Sequence, residues 1–149
     1  MTFQARQLIR TGTIHTGATL ARVFPLLCPK REEEWIPGWE CETLSSSTGY
    51  NEEGAVFRTT RPYGTELYWT TLRYDLAQGS VGFIIIAPGL FLFRFNIRVT
   101  GQGPLAITFE QTFTAISERG NAMIEAYSAD DFAARMRVLE SFMNRHLHV

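Results

Sequence analysis

The sequence is short of almost everything that announces a chemistry. Cysteine is scarce, with two in 149 residues. Cys28 and Cys41 have no zinc-site spacing and are too few for the disulfide framework of a small secreted domain. Both are read as buried small hydrophobes in a chain suited to a reducing cytoplasm. Histidine is limited to His15, His146 and His148. The last two form an H-x-H chain end with no cysteine or acid beside them, so no metal is expected. Neither sign of charge dominates: 14 Lys and Arg against 15 Asp and Glu give a net charge of -1. Such a chain has no long-range field to gather polyanions, which disfavours nucleic acid and anionic membrane as main partners. No apolar run reaches the roughly 18 residues of a membrane helix. The longest, "VGFIIIAPGLFLFRF" from Val81 to Phe95, is broken by Pro88-Gly89 and reads as two strands and a turn. The start, "MTFQARQLIR", lacks the apolar core and cleavage site of a signal peptide. There is no G-x-S-x-G elbow, no P-loop and no G-x-G-x-x-G, and "GQG" at Gly101 is a bare hairpin turn. "GSVGFIII" looks faintly like an RNA-binding strand, but the chain has neither the βαββαβ order nor the basic surface that would go with it. No cofactor is expected, and no repeat or low-complexity tract occurs.

What is present is patterned chain for one domain, residues 1–149. Turn signals recur at short intervals: "NEEG" at Asn51, "RPYG" at Arg61, "AQGS" at Ala77, "APG" at Ala87 and "GQGP" at Gly101. Between them lie runs rich in Val, Ile, Thr and aromatics, the spacing of an antiparallel meander. Strands are expected over residues 6–15, 40–46, 55–61, 66–75, 80–87, 90–100 and 105–116. Two segments break this pattern. "TGATLARVFPLL" offers Thr16 or Thr19 as a helix N-cap, and "PKREEEWI" reads as a second short helix with Pro29 at its first position. "SADDFAARMRVLESFMNRHL" opens on Ser128 with Asp131 three residues on, close to a capping box. Phe132, Met136, Leu139 and Met143 then make one stripe down a long helix. "GNAMIEAY" either joins this helix or forms a separate turn before it.

The strand faces decide what that helix covers. Phe91, Phe93, Phe95, Ile97 and Val99 alternate with Leu92, Arg94, Asn96 and Arg98, so the aromatic face belongs indoors. Leu105, Ile107, Phe109, Gln111 and Phe113 repeat the pattern, and Tyr68, Leu72 and Tyr74 oppose Trp69 and Arg73. Arg58, Arg73, Arg94 and Arg98 are expected on the outer face. The class is therefore α+β, a seven-stranded antiparallel sheet curved around a long C-terminal helix. One helix of about 10 to 12 Å diameter covers only part of such a face. The sheet then either collapses on its own side chains or leaves an elongated apolar cavity.

The order of strand, two short helices, six strands and a long helix resembles the START-like superfamily, also called SRPBCC. It includes lipid-transfer START domains, polyketide cyclases and aromatases, and pollen-allergen ligand carriers. "VFPLLCPKREEEWIPGWECE" and "GNAMIEAYSADDFAARMRVLESFMNRHL" are similar to the matching segments of a bacterial subgroup of it. The resemblance implies a helix-grip fold with a hydrophobic ligand cavity between sheet and helix. It implies no shared catalytic motif, because the superfamily has none.

The densest charge, Glu32, Glu33 and Glu34, runs into Trp35 and Trp39 in "REEEWIPGW". Two readings stay open: a solvated helix face with a packed corner, or the rim of the cavity mouth, with Glu34, Trp35 and Trp39 at the entrance. Helical spacing cannot aim all three acids at one point, which argues against a paired-carboxylate mechanism. Phe57, Phe91, Phe93, Phe95, Phe109 and Met136 are the candidate apolar wall for a ligand. Tyr68, Tyr74 and Gln111 are the candidate polar groups inside it, either satisfied by core partners or orienting a ligand. A carrier of a small apolar or amphipathic molecule (lipid, aromatic or polyketide-like) is the favoured function. The alternative is a cyclase, aromatase or dehydratase in which the cavity shapes a reactive substrate. Membrane insertion is not expected, and a homodimer is left open.

Overall fold

Strands begin and end where the turn residues allow. In a computed structural model describing residues 2–149, β1 covers Gln7–Thr16, β2 Cys41–Ser45, β3 Val56–Thr59, β4 Leu67–Asp75, β5 Ser80–Ala87, β6 Phe91–Thr100 and β7 Leu105–Ala115. They form one antiparallel sheet in the order β1-β7-β6-β5-β4-β3-β2. From β2 to β7 the chain meanders between neighbours, and β1 pairs with the last strand. The segment between β1 and β2 must therefore cross from one edge of the sheet to the other. It does so through a short helix, α1 (Leu20–Val23), and two 3-10 turns, Phe24–Leu26 and Arg31–Glu34.

These turns are tighter than the two helices the sequence predicts. Thr19 occupies the N-cap of α1 without a side-chain hydrogen bond, and Pro29 lies ahead of the second turn rather than opening it. The corner is pinned by its tryptophans: the indole of Trp35 donates to Leu26 O at 3.1 Å and that of Trp39 to Pro29 O at 2.8 Å.

On β6 the buried residues are Phe91, Phe93, Phe95, Ile97 and Val99, while Arg94, Asn96 and Arg98 face water. Pairing with β7 places Phe93 opposite Phe113, whose rings stack at 4.5 Å, and Phe95 opposite Gln111. On β4 the expected face is inverted at one end. Leu67, Trp69 and Thr71 point in, so Tyr68 points out towards Arg58 and Leu72 is exposed. A bulge between Thr71 and Arg73 then shifts the register by one residue, and Tyr74 turns inward beside Val81 and packs on Phe24 at 4.9 Å. A single extra residue flips every side chain beyond it, which is why Tyr68 and Tyr74 do not share a face.

"GNAMIEAY" belongs to a separate helix, α2 (Glu118–Glu125), capped by Ser117, whose hydroxyl accepts from Gly120 N at 3.0 Å. The long helix α3 (Ala129–Leu147) starts at Ser128, whose side chain accepts from Asp131 N at 3.0 Å. Its buried residues are Phe132, Met136, Leu139, Met143 and Leu147. The helix comes closest to the sheet at β1, where a Cβ on Gly12 would stand 2.8 Å from both Met136 Cγ and Phe132 Cε2. At its other end it covers the free edge of β1, with His15 N donating to Glu140 Oε2 at 2.7 Å and Asn144 Nδ2 donating to His15 O at 3.0 Å.

Candidate functional site

Between α3, the inner face of the sheet and the tryptophan corner lies a pocket. Its wall holds Trp35, Ile36 and Trp39 from the corner, Trp69, Phe93, Phe95, Phe109 and Gln111 from the sheet, and Arg135, Met136 and Leu139 from α3. Glu32 enters from the second 3-10 turn, and Pro62 and Tyr63 come from the β3–β4 loop. The indole of Trp69 donates to Thr59 Oγ1 at 3.0 Å, so all three tryptophans have their N–H groups satisfied elsewhere and offer the pocket only ring surface. The open interior is about 30 Å³, room for about one water. Tyr63 accounts for the shortage of space. Its ring meets Phe91, Phe93, Phe113 and Tyr127 edge to face at 5.7 to 6.1 Å, filling the concave face.

Outward, the pocket continues into a vestibule of about 440 Å³ bounded by Ile36, Trp39, Thr60, Arg61, Pro62, Gly64 and Arg135. A second open groove, between β1 and α3, runs past Gly12, Phe132 and Met136 on the far side of the helix contact. It gathers no aromatic cage.

Three consecutive acids have three different environments. Glu34 is bound by Arg31 at 2.7 Å, which holds its carboxyl below the usual range, and it takes no part in the pocket wall. Glu33 is held low by Lys30 at 2.9 Å and by the backbone N–H of Cys41. The Glu32 carboxyl has no hydrogen bond and no ion pair among the described residues, and removal from water pushes it up to about 8 against the opposing charge of Arg135. The acid at the pocket is thus Glu32, not Glu34. Burial also pushes the Tyr63 hydroxyl well above its ordinary value, and that of Tyr127 upward. The side-chain oxygen of Gln111 is buried without a hydrogen-bond partner, whereas the buried hydroxyls of Tyr63 and Tyr127 face one another.

No family model and no curated protein matches the chain in sequence. Solved structures match it in shape. Norcoclaurine synthase from Thalictrum flavum, in complex with dopamine and hydroxybenzaldehyde, superposes with a TM-score of 0.64 at 11% identity over 95% of this chain and 89% of that one. The Mll3558 protein from Rhizobium loti gives 0.66 at 15% identity, covering 97% and 99%. The Zhui aromatase/cyclase from Streptomyces sp. R1128 gives 0.60 at 16% identity, covering 95% and 96%. The fold they share with this chain is the helix-grip fold. No helix among the described residues is long and apolar enough to cross a membrane.

Within this helix-grip chain the candidate residues separate into groups. Phe93, Phe95, Phe109, Gln111 and Met136 line the pocket together with Trp35 and Trp39. Phe57 and Phe91 are buried in the core but outside that wall, Tyr74 is half-buried against Phe24, and Tyr68 is on the opposite face of the sheet. Trp69, Tyr63, Arg135 and Glu32 escaped sequence reasoning as pocket residues. Trp69 was hidden by the β4 bulge, and Tyr63 sits in a loop, where no periodicity aims a side chain. Arg135 had a signal in the sequence: it precedes Met136, on the flank of the buried stripe.

Proposed function

We propose that residues 1–149 form a single unit that binds a small planar apolar molecule between α3 and the sheet. The observation that carries this reading is the pairing of a three-tryptophan wall with a buried, unpartnered polar atom, Gln111 Oε1. Buried polar groups are normally satisfied, and leaving one unmade costs about 1 to 3 kcal/mol. A ligand bearing one polar substituent relieves that cost while its ring takes the aromatic surface. With only about 30 Å³ open, the ligand must replace Tyr63, and the β3–β4 loop must swing towards the vestibule to admit it. Phe57 and Phe91 then support the wall from behind, and Phe93, Phe95, Phe109, Gln111 and Met136 touch the ligand.

A second reading, an enzyme of the cyclase or aromatase kind, is favoured by Glu32. A carboxyl pushed up to about 8 can give and take a proton near neutral pH, and the pocket supplies the shape that orients a reactive chain. Titration with 2-naphthalenemethanol, followed by tryptophan fluorescence and thermal unfolding, tests the binding reading. At a hundred times the dissociation constant a ligand adds about 2.7 kcal/mol of stability. Absence of any shift across a panel of neutral and charged aromatics excludes the binding reading. Turnover of a poly-β-ketone thioester that disappears in Glu32→Gln separates enzyme from carrier.

A further inference from the structure

We propose that the bound molecule is amphipathic and anionic, with its planar body in the pocket and a carboxylate in the vestibule held by Arg61 and Arg135. The inference rests on the ligand-binding reading above and adds the chemical class of the ligand.

The vestibule shares Ile36, Trp39, Pro62 and Arg135 with the pocket, so one molecule can occupy both. Its wall contains two guanidinium groups and no carboxylate. Five other arginines are engaged, Arg6 with Glu125, Arg31 with Glu34, Arg58 with Glu42, and Arg10 and Arg22 with the carbonyls of Tyr127 and Leu147, whereas those on the outer sheet face such as Arg94 and Arg98 point into water away from any pocket wall of aromatic residues. Arg61 and Arg135 have no ion pair among the described residues. Arg61 is nevertheless placed, because its guanidinium lies over the Gly38 turn, with Nη1 3.6 Å from where a Cβ of that residue would stand. Arg135 is within Coulombic reach of Glu32, Tyr63 and Tyr127 at once, which sets its charge at the junction of pocket and vestibule. Two forked donors flanking one opening match a carboxylate, which accepts paired N–H groups in its plane. Glu32 lies in the pocket wall and not in the vestibule wall, and removal from water disfavours the charge with which its carboxyl would neutralise them. In a chain of net charge -1 this opening is a local positive site with apolar depth behind it.

The experiment compares three isosteric probes on the full chain at pH 7 by isothermal titration: 2-naphthoate, neutral 2-naphthalenemethanol and cationic 2-naphthylmethylamine. Naphthoate should bind about tenfold more tightly than the alcohol, as one charge-assisted hydrogen bond implies, and the amine most weakly. Arg61→Gln and Arg135→Gln should each remove most of that preference, read as the ratio of naphthoate to alcohol affinity within the same variant. Arg135→Lys should keep part of it. An alcohol bound as tightly as naphthoate, or variants that weaken both probes equally, overturns the anionic ligand while the pocket reading stands. Failure of all three probes to bind overturns both.

Discussion

Glu32 concentrates the residue-scale physics. Its carboxyl is pushed up to about 8 by desolvation, whereas in the unfolded chain it titrates near 4.5. Between those values the folded protein holds a proton that the unfolded chain has released. Stability therefore falls as pH rises from about 4.5 to 8, by at most about 1.4 kcal/mol per pH unit, and the full penalty persists above 8. Glu32→Gln removes the ionisable group. Its melting temperature should exceed that of the wild type at pH 9 and match it within about a degree at pH 4.5, where both forms are neutral. Equal pH profiles for the two proteins would show the carboxyl to be solvated. Neighbouring residues on β6 make a second contrast. Phe93 is 2% exposed and stacked on Phe113, so Phe93→Ala should cost about 3 to 5 kcal/mol in the denaturant midpoint. Arg94 faces water, and Arg94→Ala should change stability by about 0.5 kcal/mol or less.

At the scale of elements, α3 closes the fold and its seat is β1. Met136 lies on the buried stripe and Arg137 beside it is exposed. Met136→Asp should leave little soluble protein, because it places an unpaired charge in the core, whereas Arg137→Asp should purify and unfold as the wild type does. Gly12 tests the seat itself. Alanine there brings a methyl within 2.8 Å of Met136 and Phe132, and should destabilise by about 1 to 3 kcal/mol even though nothing is deleted. A wild-type midpoint for Gly12→Ala would mean that the helix can lift from the strand. The β3–β4 loop is the complementary element: it carries Tyr63, whereas Phe91, Phe93 and Phe113 are packed from strands and Tyr127 is outside the pocket wall, so Tyr63 is the group a ligand would displace. Tyr63→Ala should deepen the pocket and tighten binding of 2-naphthalenemethanol, read by tryptophan quenching. Weaker binding would make Tyr63 part of the ligand's wall instead.

For the whole molecule, strand number, meander order and the stripe of α3 were legible in the sequence. Periods of 2 and 3.6 and the turn residues between them are properties of adjacent positions, so alternation along Phe91–Thr100 or from Phe132 to Met143 needs no partner to be read. The aromatic side of the candidate site followed from the same alternation: Phe93, Phe95, Phe109 and Gln111 reach the pocket because their strands keep phase. The tertiary structure decided the rest. The β4 bulge is set by how that strand registers against β5, and it exchanged Tyr68 for Trp69 on the inner face. Which of three identical acids meets the pocket depended on the Trp35 and Trp39 anchors turning the corner, and it came out as Glu32. Tyr63 and Arg61 ride on a loop, and Arg135 becomes a mouth residue only once α3 lies across the sheet. These placements arise from contacts between residues distant in the chain, and such contacts leave no trace in local spacing.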